Sequence, residues 1–122
     1  MNKAQKIVAI FLLITFITIS ALYVIYLNKK QKSTDDGILF FYSTTCPHCK
    51  NVEDFIQENN LESKIKIIKK EVNYNQKNFL ELTQYAKSCG VNYIGVPFVY
   101  YKGKCYVGET EIINLLKNVT GV

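Results

Sequence analysis

Four residues, Cys46-Pro47-His48-Cys49, carry the side chains in this chain best suited to covalent chemistry. They follow an apolar run, Ile38-Leu39-Phe40-Phe41-Tyr42, and precede an amphipathic one, Val52-Glu53-Asp54-Phe55-Ile56. That order reads as strand, tight turn and helix. Cys46 then sits at the helix mouth and Pro47 in the first turn, where a missing N–H costs nothing. A sulfur at that position faces unpaired backbone N–H groups and the positive end of the helix dipole. Both favour the thiolate, which is the reactive species. His48 can add positive charge beside it. Cys49 lies one turn further in, on the face of Val52 and Ile56, where it can attack a mixed disulfide formed at Cys46. Two thiols of unequal exposure and acidity are what disulfide exchange needs.

A CxxC pair also serves as half of a zinc site or as a structural disulfide. Zinc draws on a second CxxC or a pair of histidines. Here the other cysteines, Cys89 and Cys105, are far apart and the chain has 1 histidine. The strand–turn–helix setting therefore favours redox chemistry, with no metal.

These groups need a scaffold, and 122 residues allow one domain. The first third is not part of it. Residues 1–6 form a basic flank with Lys3 and Lys6, and residues 7–27 contain no charged side chain. At ~1.5 Å per residue that run reaches about 30 Å, the thickness of a bilayer's hydrocarbon core. Lys29, Lys30 and Lys32 follow it, and Tyr23 and Tyr26 occupy the interfacial positions. The expectation is a single-pass, uncleaved anchor. The competing reading is a cleaved signal peptide, whose apolar region is shorter and ends in a small-x-small site that Thr18-Ile19-Ser20 matches poorly. Lysines on both sides leave the topology open by charge. Cysteine usage places the domain outside the cytoplasm, in an oxidising compartment.

All 15 basic residues are lysine, and 5 of them flank the apolar run, leaving 10 lysines against 10 acids from Ser33 onward. The net charge of +5 therefore belongs to the membrane flanks and gives no support to a nucleic-acid role. Residues 28–37 are polar and read as a linker that spans at most about 35 Å.

Residues 38–122 then alternate. Ile38–Ser43 reads as a strand and Pro47 to Asn59 as a helix. Ile65–Val72, rich in β-branched residues, reads as the second strand. Asn78 with Glu81 three residues on suggests a helix cap, with Phe79, Leu82, Ala86 and Cys89 on the apolar face and Gly90 at the stop. Phe98–Tyr101, Lys102-Gly103 and Lys104–Val107 form a hairpin. A last helix runs from Glu109 to Asn118, with Ile112, Ile113, Leu116 and Val119 near one face.

The order β-α-β-α-β-β-α, the CxxC at the first strand–helix turn, and Gly95-Val96-Pro97 before the hairpin together resemble the thioredoxin superfamily at glutaredoxin size. The resemblance covers residues 37–122. It implies an α/β fold in which a four-stranded mixed sheet is flanked by helices. It also implies that Pro97 is cis and packs against the CxxC, while Val96 offers its backbone to an extended substrate segment. The Pro-His dipeptide with Val-Pro looks most like the active site of DsbA-type oxidases, without their helical insertion. Two features depart from the family. The strand before the CxxC carries no acid, and Val107-Gly108-Glu109-Thr110 does not match the glutathione-holding signature of glutaredoxins.

The resulting expectation is a membrane-tethered, monomeric thiol–disulfide oxidoreductase. Cys46 attacks and leaves, Cys49 resolves, and Pro47 and His48 set the reactivity of Cys46. Val96 and Pro97 dock protein thiols or disulfides. No cofactor is needed because the cysteine pair carries the electrons, and the expected redox partner is a membrane protein. Pro-His favours the role of oxidant. The alternatives are a reductase or isomerase fed by a membrane electron carrier, and a copper-handling module using Cys46, Cys49 and His48. Copper carriers of this fold use a wider cysteine spacing and a distal histidine, which are missing here. Cys89 and Cys105 are read as a structural disulfide, with buried free thiols or a second redox relay as alternatives.

Overall fold

The computed structural model describes residues 1–31 and 37–122, which divide into an N-terminal helix and a separate compact domain. Helix α1 spans Lys3–Gln31, and its stretch Lys3–Tyr26 is 24 residues long with a mean hydropathy of 2.7. By length and composition it can cross a membrane, which makes it a candidate anchor or signal sequence. The helix continues through Asn28–Gln31, residues read above as the start of the linker. Asn, Lys, Lys and Gln cost a helix only tenths of a kcal/mol each, so the loss of apolar character does not end it. Of the expected linker, residues 32–36 lie outside the described residues.

The domain runs β1 (Ile38–Tyr42), α2 (Pro47–Glu58), β2 (Ile67–Glu71), α3 (Gln76–Ser88), β3 (Phe98–Tyr101), β4 (Lys104–Val107) and α4 (Glu109–Thr120). The sheet order is β2-β1-β3-β4, with β1 parallel to β2 and antiparallel to β3. β1 is therefore a central strand covered on both faces, which explains its unbroken apolar sequence. Its alternate residues divide between two cores. Ile38 and Phe40 join Val52, Ile56, Val99, Ile112 and Leu116 under α2 and α4. Phe41 turns the other way to meet Leu82, Ala86 and Phe98 under α3.

Two element starts differ from the sequence reading. β2 begins at Ile67 because the Ile65 N–H is bonded to Leu61 O in the preceding turn. α3 begins three residues earlier than the Asn78 cap implied. Asn75 caps it, its side chain accepting from the Asn78 N–H at 3.1 Å. Glu81, expected to close the capping box, instead bonds Lys70 of β2, and Asn78 Nδ2 donates to Glu71 O at 2.8 Å. Two asparagines three apart both fit a cap, and only the tertiary partners separate them. Phe79, placed on the apolar face by spacing, is 44% exposed, while Leu115 of α4 is buried without having been singled out.

The hairpin matches residue for residue. Lys102 and Gly103 have φ of 47° and 80°, the positive pair that a two-residue turn of type I′ requires. Cys105 of this hairpin is joined to Cys89, the C-cap of α3, with Cα atoms 6.1 Å apart. Both cysteines are half-buried rather than fully enclosed, since β4 is an edge strand and Cys89 ends its helix. The bridge closes a separation of 16 residues, for which chain entropy gives about 3 kcal/mol. Replacing both cysteines with alanine should lower unfolding free energy by about that amount in a urea titration, with disulfide-exchange turnover unchanged within about twofold.

Candidate active site

Ser43 ends the approach from β1. Its hydroxyl lies 3.0 Å from that of Thr45, and its carbonyl accepts the Cys46 N–H at 3.2 Å. This turn delivers Cys46 to the N-cap of α2, with extended backbone at φ −97° and ψ 114°. An N-cap side chain normally offers oxygen to the orphan N–H groups of the first turn. Here sulfur takes that place, accepting the Cys49 N–H at 3.2 Å. Pro47 follows at the first helical position, with no N–H to leave unpaired.

The two cysteines differ sharply in access. Cys46 is half-exposed, whereas Cys49 is buried in the same row as Val52 and Ile56. Burial first, then its hydrogen bond with Cys46, push the Cys49 thiol up from 9.0 to about 12. Cys49 therefore keeps its proton at neutral pH. Both cysteines are free thiols in this structure.

On the far side of Cys46 lies the loop before β3. The Val96–Pro97 peptide is cis, and Cys46 Sγ is 3.7 Å from Val96 O. Pro97 is buried, and its carbonyl accepts the N–H of Gly108, the N-cap of α4, at 3.0 Å. Gly108 holds φ of 92°, a conformation that a side chain would strain. The start of β3 and the start of α4 are thus tied beside the CxxC.

His48 is exposed and turns toward α4, where its Nδ1–H donates to Glu109 Oε2 at 2.7 Å. The same carboxylate oxygen accepts from Asn51 Nδ2 at 3.0 Å. These two donors, His48 first, hold the Glu109 carboxyl below its ordinary value. Sequence reading missed both partners. An acid in the first turn of a helix reads as a dipole partner, and nothing in the sequence relates it to a histidine 61 positions away.

A groove of about 640 Å³ opens from Cys46, lined also by Val96, Ile94, Phe79 and Tyr74. Tyr74 and Ile94 are 78% and 39% exposed, so the groove has an apolar rim facing solvent. Tyr74 and Ile94, exposed on separate loops, leave no periodic trace, and they too went unread. Among the described residues, no group of three or more His, Cys, Asp or Glu side chains is placed to hold a metal ion.

No family model matches this chain, and no curated protein matches it by sequence. Among solved structures, the chain is similar to a glutaredoxin from Archaeoglobus fulgidus, with a TM-score of 0.52 and 19% identity. The similarity covers 70% of this chain and 87% of that one. The fold is thioredoxin-like. A four-stranded mixed sheet flanked by helices is common ground with that architecture.

Proposed function

We propose that this chain is a thiol–disulfide oxidoreductase whose redox centre is the Cys46–Cys49 pair. One observation carries the reading. A half-exposed sulfur caps α2 and opens onto a groove with an exposed apolar rim, with a buried, protonated thiol one turn behind it. In the oxidised form, a substrate thiolate attacks Cys46 Sγ, the more accessible sulfur. The intramolecular disulfide breaks and its electron pair leaves on Cys49, which the buried site receives with a proton. A second substrate thiolate then attacks the substrate sulfur of the mixed disulfide. The substrate disulfide forms, and Cys46 leaves as thiolate. Two electrons pass from substrate to the pair. In the reducing direction the steps run backward, and Cys49 resolves the mixed disulfide once its proton is removed.

Val96 and Pro97 form the docking edge. An extended segment beside Val96 would run along the groove, with its apolar side chains against Phe79 and Ile94. The Pro-His dipeptide supports the role of oxidant, and the fold similarity is compatible with either direction of electron flow. Copper handling finds less support, because His48 Nδ1 is engaged by Glu109 at 2.7 Å. We place α1 in a membrane as an uncleaved single-pass anchor, with a monomeric domain in an oxidising compartment and a membrane protein as redox partner. A short tether raises the effective concentration of such a partner.

Cys49→Ala tests the reading and the partner together. With no internal thiol to resolve it, the mixed disulfide at Cys46 should persist and appear as a dithiothreitol-sensitive adduct on non-reducing gels of membrane extracts. Adducts confined to soluble cytosolic proteins would contradict both the topology and the membrane partner.

A further inference from the structure

The thiol–disulfide reading leaves the polar contact between the first turns of α2 and α4 without a role. We propose that Glu109 is a positioning residue: it draws the His48 imidazole onto α4, away from the Cys46 sulfur, and so moderates the oxidising strength of the Cys46–Cys49 disulfide. This rests on that pair being the redox centre.

The geometry is specific. Glu109 Oε2 receives two donors from one face of α2, His48 Nδ1 at 2.7 Å and Asn51 Nδ2 at 3.0 Å. Asn51 does not titrate, so it holds the carboxylate in place whatever charge the imidazole carries. The backbone beneath Glu109 is fixed as well, since its neighbour Gly108 donates to Pro97 O at 3.0 Å. Val96, whose carbonyl lies 3.7 Å from Cys46 Sγ, directly precedes that proline. One carboxylate thus bridges α2 and α4 beside both halves of the site.

Its electrostatic effect has a definite sign. Reduction puts electron density, and at sufficient pH a full charge, on the Cys46 sulfur. An imidazolium free to approach the sulfur would lower the energy of that form. Glu109 competes for the same imidazole and adds a like charge nearby. Both effects work against the reduced form and make the disulfide a weaker oxidant than Cys-Pro-His-Cys alone implies. The other charged side chains around the pair have partners of their own. Lys50 bonds Asp54, Glu111 accepts the Val107 N–H, and Lys117 lies over the Phe55 ring. Glu53 acts on Cys49, raising its proton affinity.

The test is a redox equilibrium on the full chain in detergent micelles, with glutathione as probe. Each dithiol reacts with one oxidised glutathione to give the Cys46–Cys49 disulfide and two reduced glutathiones, a balanced two-electron, two-proton exchange. Acid quenching and mass spectrometry of the Cys46–Cys49 peptide give the equilibrium constant for wild type, Glu109→Gln, His48→Ala and the double variant, at pH 6 and pH 8. Glu109→Gln should lower the constant for oxidation of the dithiol by about two- to fivefold at pH 6, the range an exposed ion pair supports. The shift should be smaller at pH 8 than at pH 6, because the effect needs the imidazole in its charged form. In the His48→Ala background the Glu109→Gln shift should fall below half its size. An equal shift with and without His48 would show that the carboxylate does not act through the imidazole, and would overturn the proposal. So would a change in melting temperature with no change in the constant. A wild-type chain that never forms the Cys46–Cys49 disulfide would overturn the redox reading itself.

Discussion

Replacing Cys46 with serine should reduce disulfide-exchange turnover by at least about a thousandfold while leaving the fold intact. The two halves of that expectation have separate causes. Serine is among the preferred N-cap residues, and its oxygen can accept the Cys49 N–H that Cys46 Sγ now accepts at 3.2 Å. α2 therefore keeps its cap, and the melting temperature should move by no more than a few degrees, the scale of a change below about 1 kcal/mol. Chemistry, by contrast, needs a sulfur that can form and break an S–S bond, and a hydroxyl cannot do so. Turnover against a dithiothreitol-reducible disulfide, measured beside a thermal melt, separates the two. A serine variant retaining activity would mean that Cys46 is not the attacking sulfur.

The largest effect on stability should come from Phe41→Ala, at about 3–5 kcal/mol. Phe41 is 0% exposed in the central strand, with ring centroids of Phe98 and Tyr85 each 6.0 Å away. Truncation removes a large transfer contribution and leaves a cavity between β1, β3 and α3. In a domain whose total stability is of order 5–15 kcal/mol, that is a large fraction. Phe98 directly follows Pro97, so loosening this contact should also loosen the docking edge. A urea titration should show a midpoint shift corresponding to at least about 3 kcal/mol. A loss below about 1 kcal/mol would mean that this half of the core collapses around the gap.

The sequence was most legible where one local signal had a single interpretation. The hairpin was readable to the residue because Lys102-Gly103 between apolar runs fits one turn type. The helix starting at Pro47 was readable because a proline can begin a helix and cannot sit inside one. Legibility failed where two local signals tied and a distant partner chose between them. Asn75 and Asn78 both resemble caps, and Glu81 was drawn to Lys70 instead of to the helix start. The same limit applies at the candidate site. Cys46, Cys49 and Pro97 stand out by type and spacing, whereas the His48–Glu109–Asn51 contact exists only because α4 packs beside α2. His48 looked like a neighbour of the thiol alone, since sequence places Cys46 two residues before it and leaves Glu109 out of view. The groove was unreadable for a related reason: Tyr74, Phe79 and Ile94 come from separate segments and share no period.

The most direct test of the redox centre is site-resolved titration of the four cysteines across a series of glutathione redox buffers at pH 7. In the full chain, Cys46 and Cys49 should pass together from two thiols to one intramolecular disulfide, in a single two-electron transition. Cys89 and Cys105 should remain joined throughout that range. Cys46 and Cys49 staying reduced in oxidised glutathione, or each acquiring a separate glutathione without closing on the other, would contradict the account.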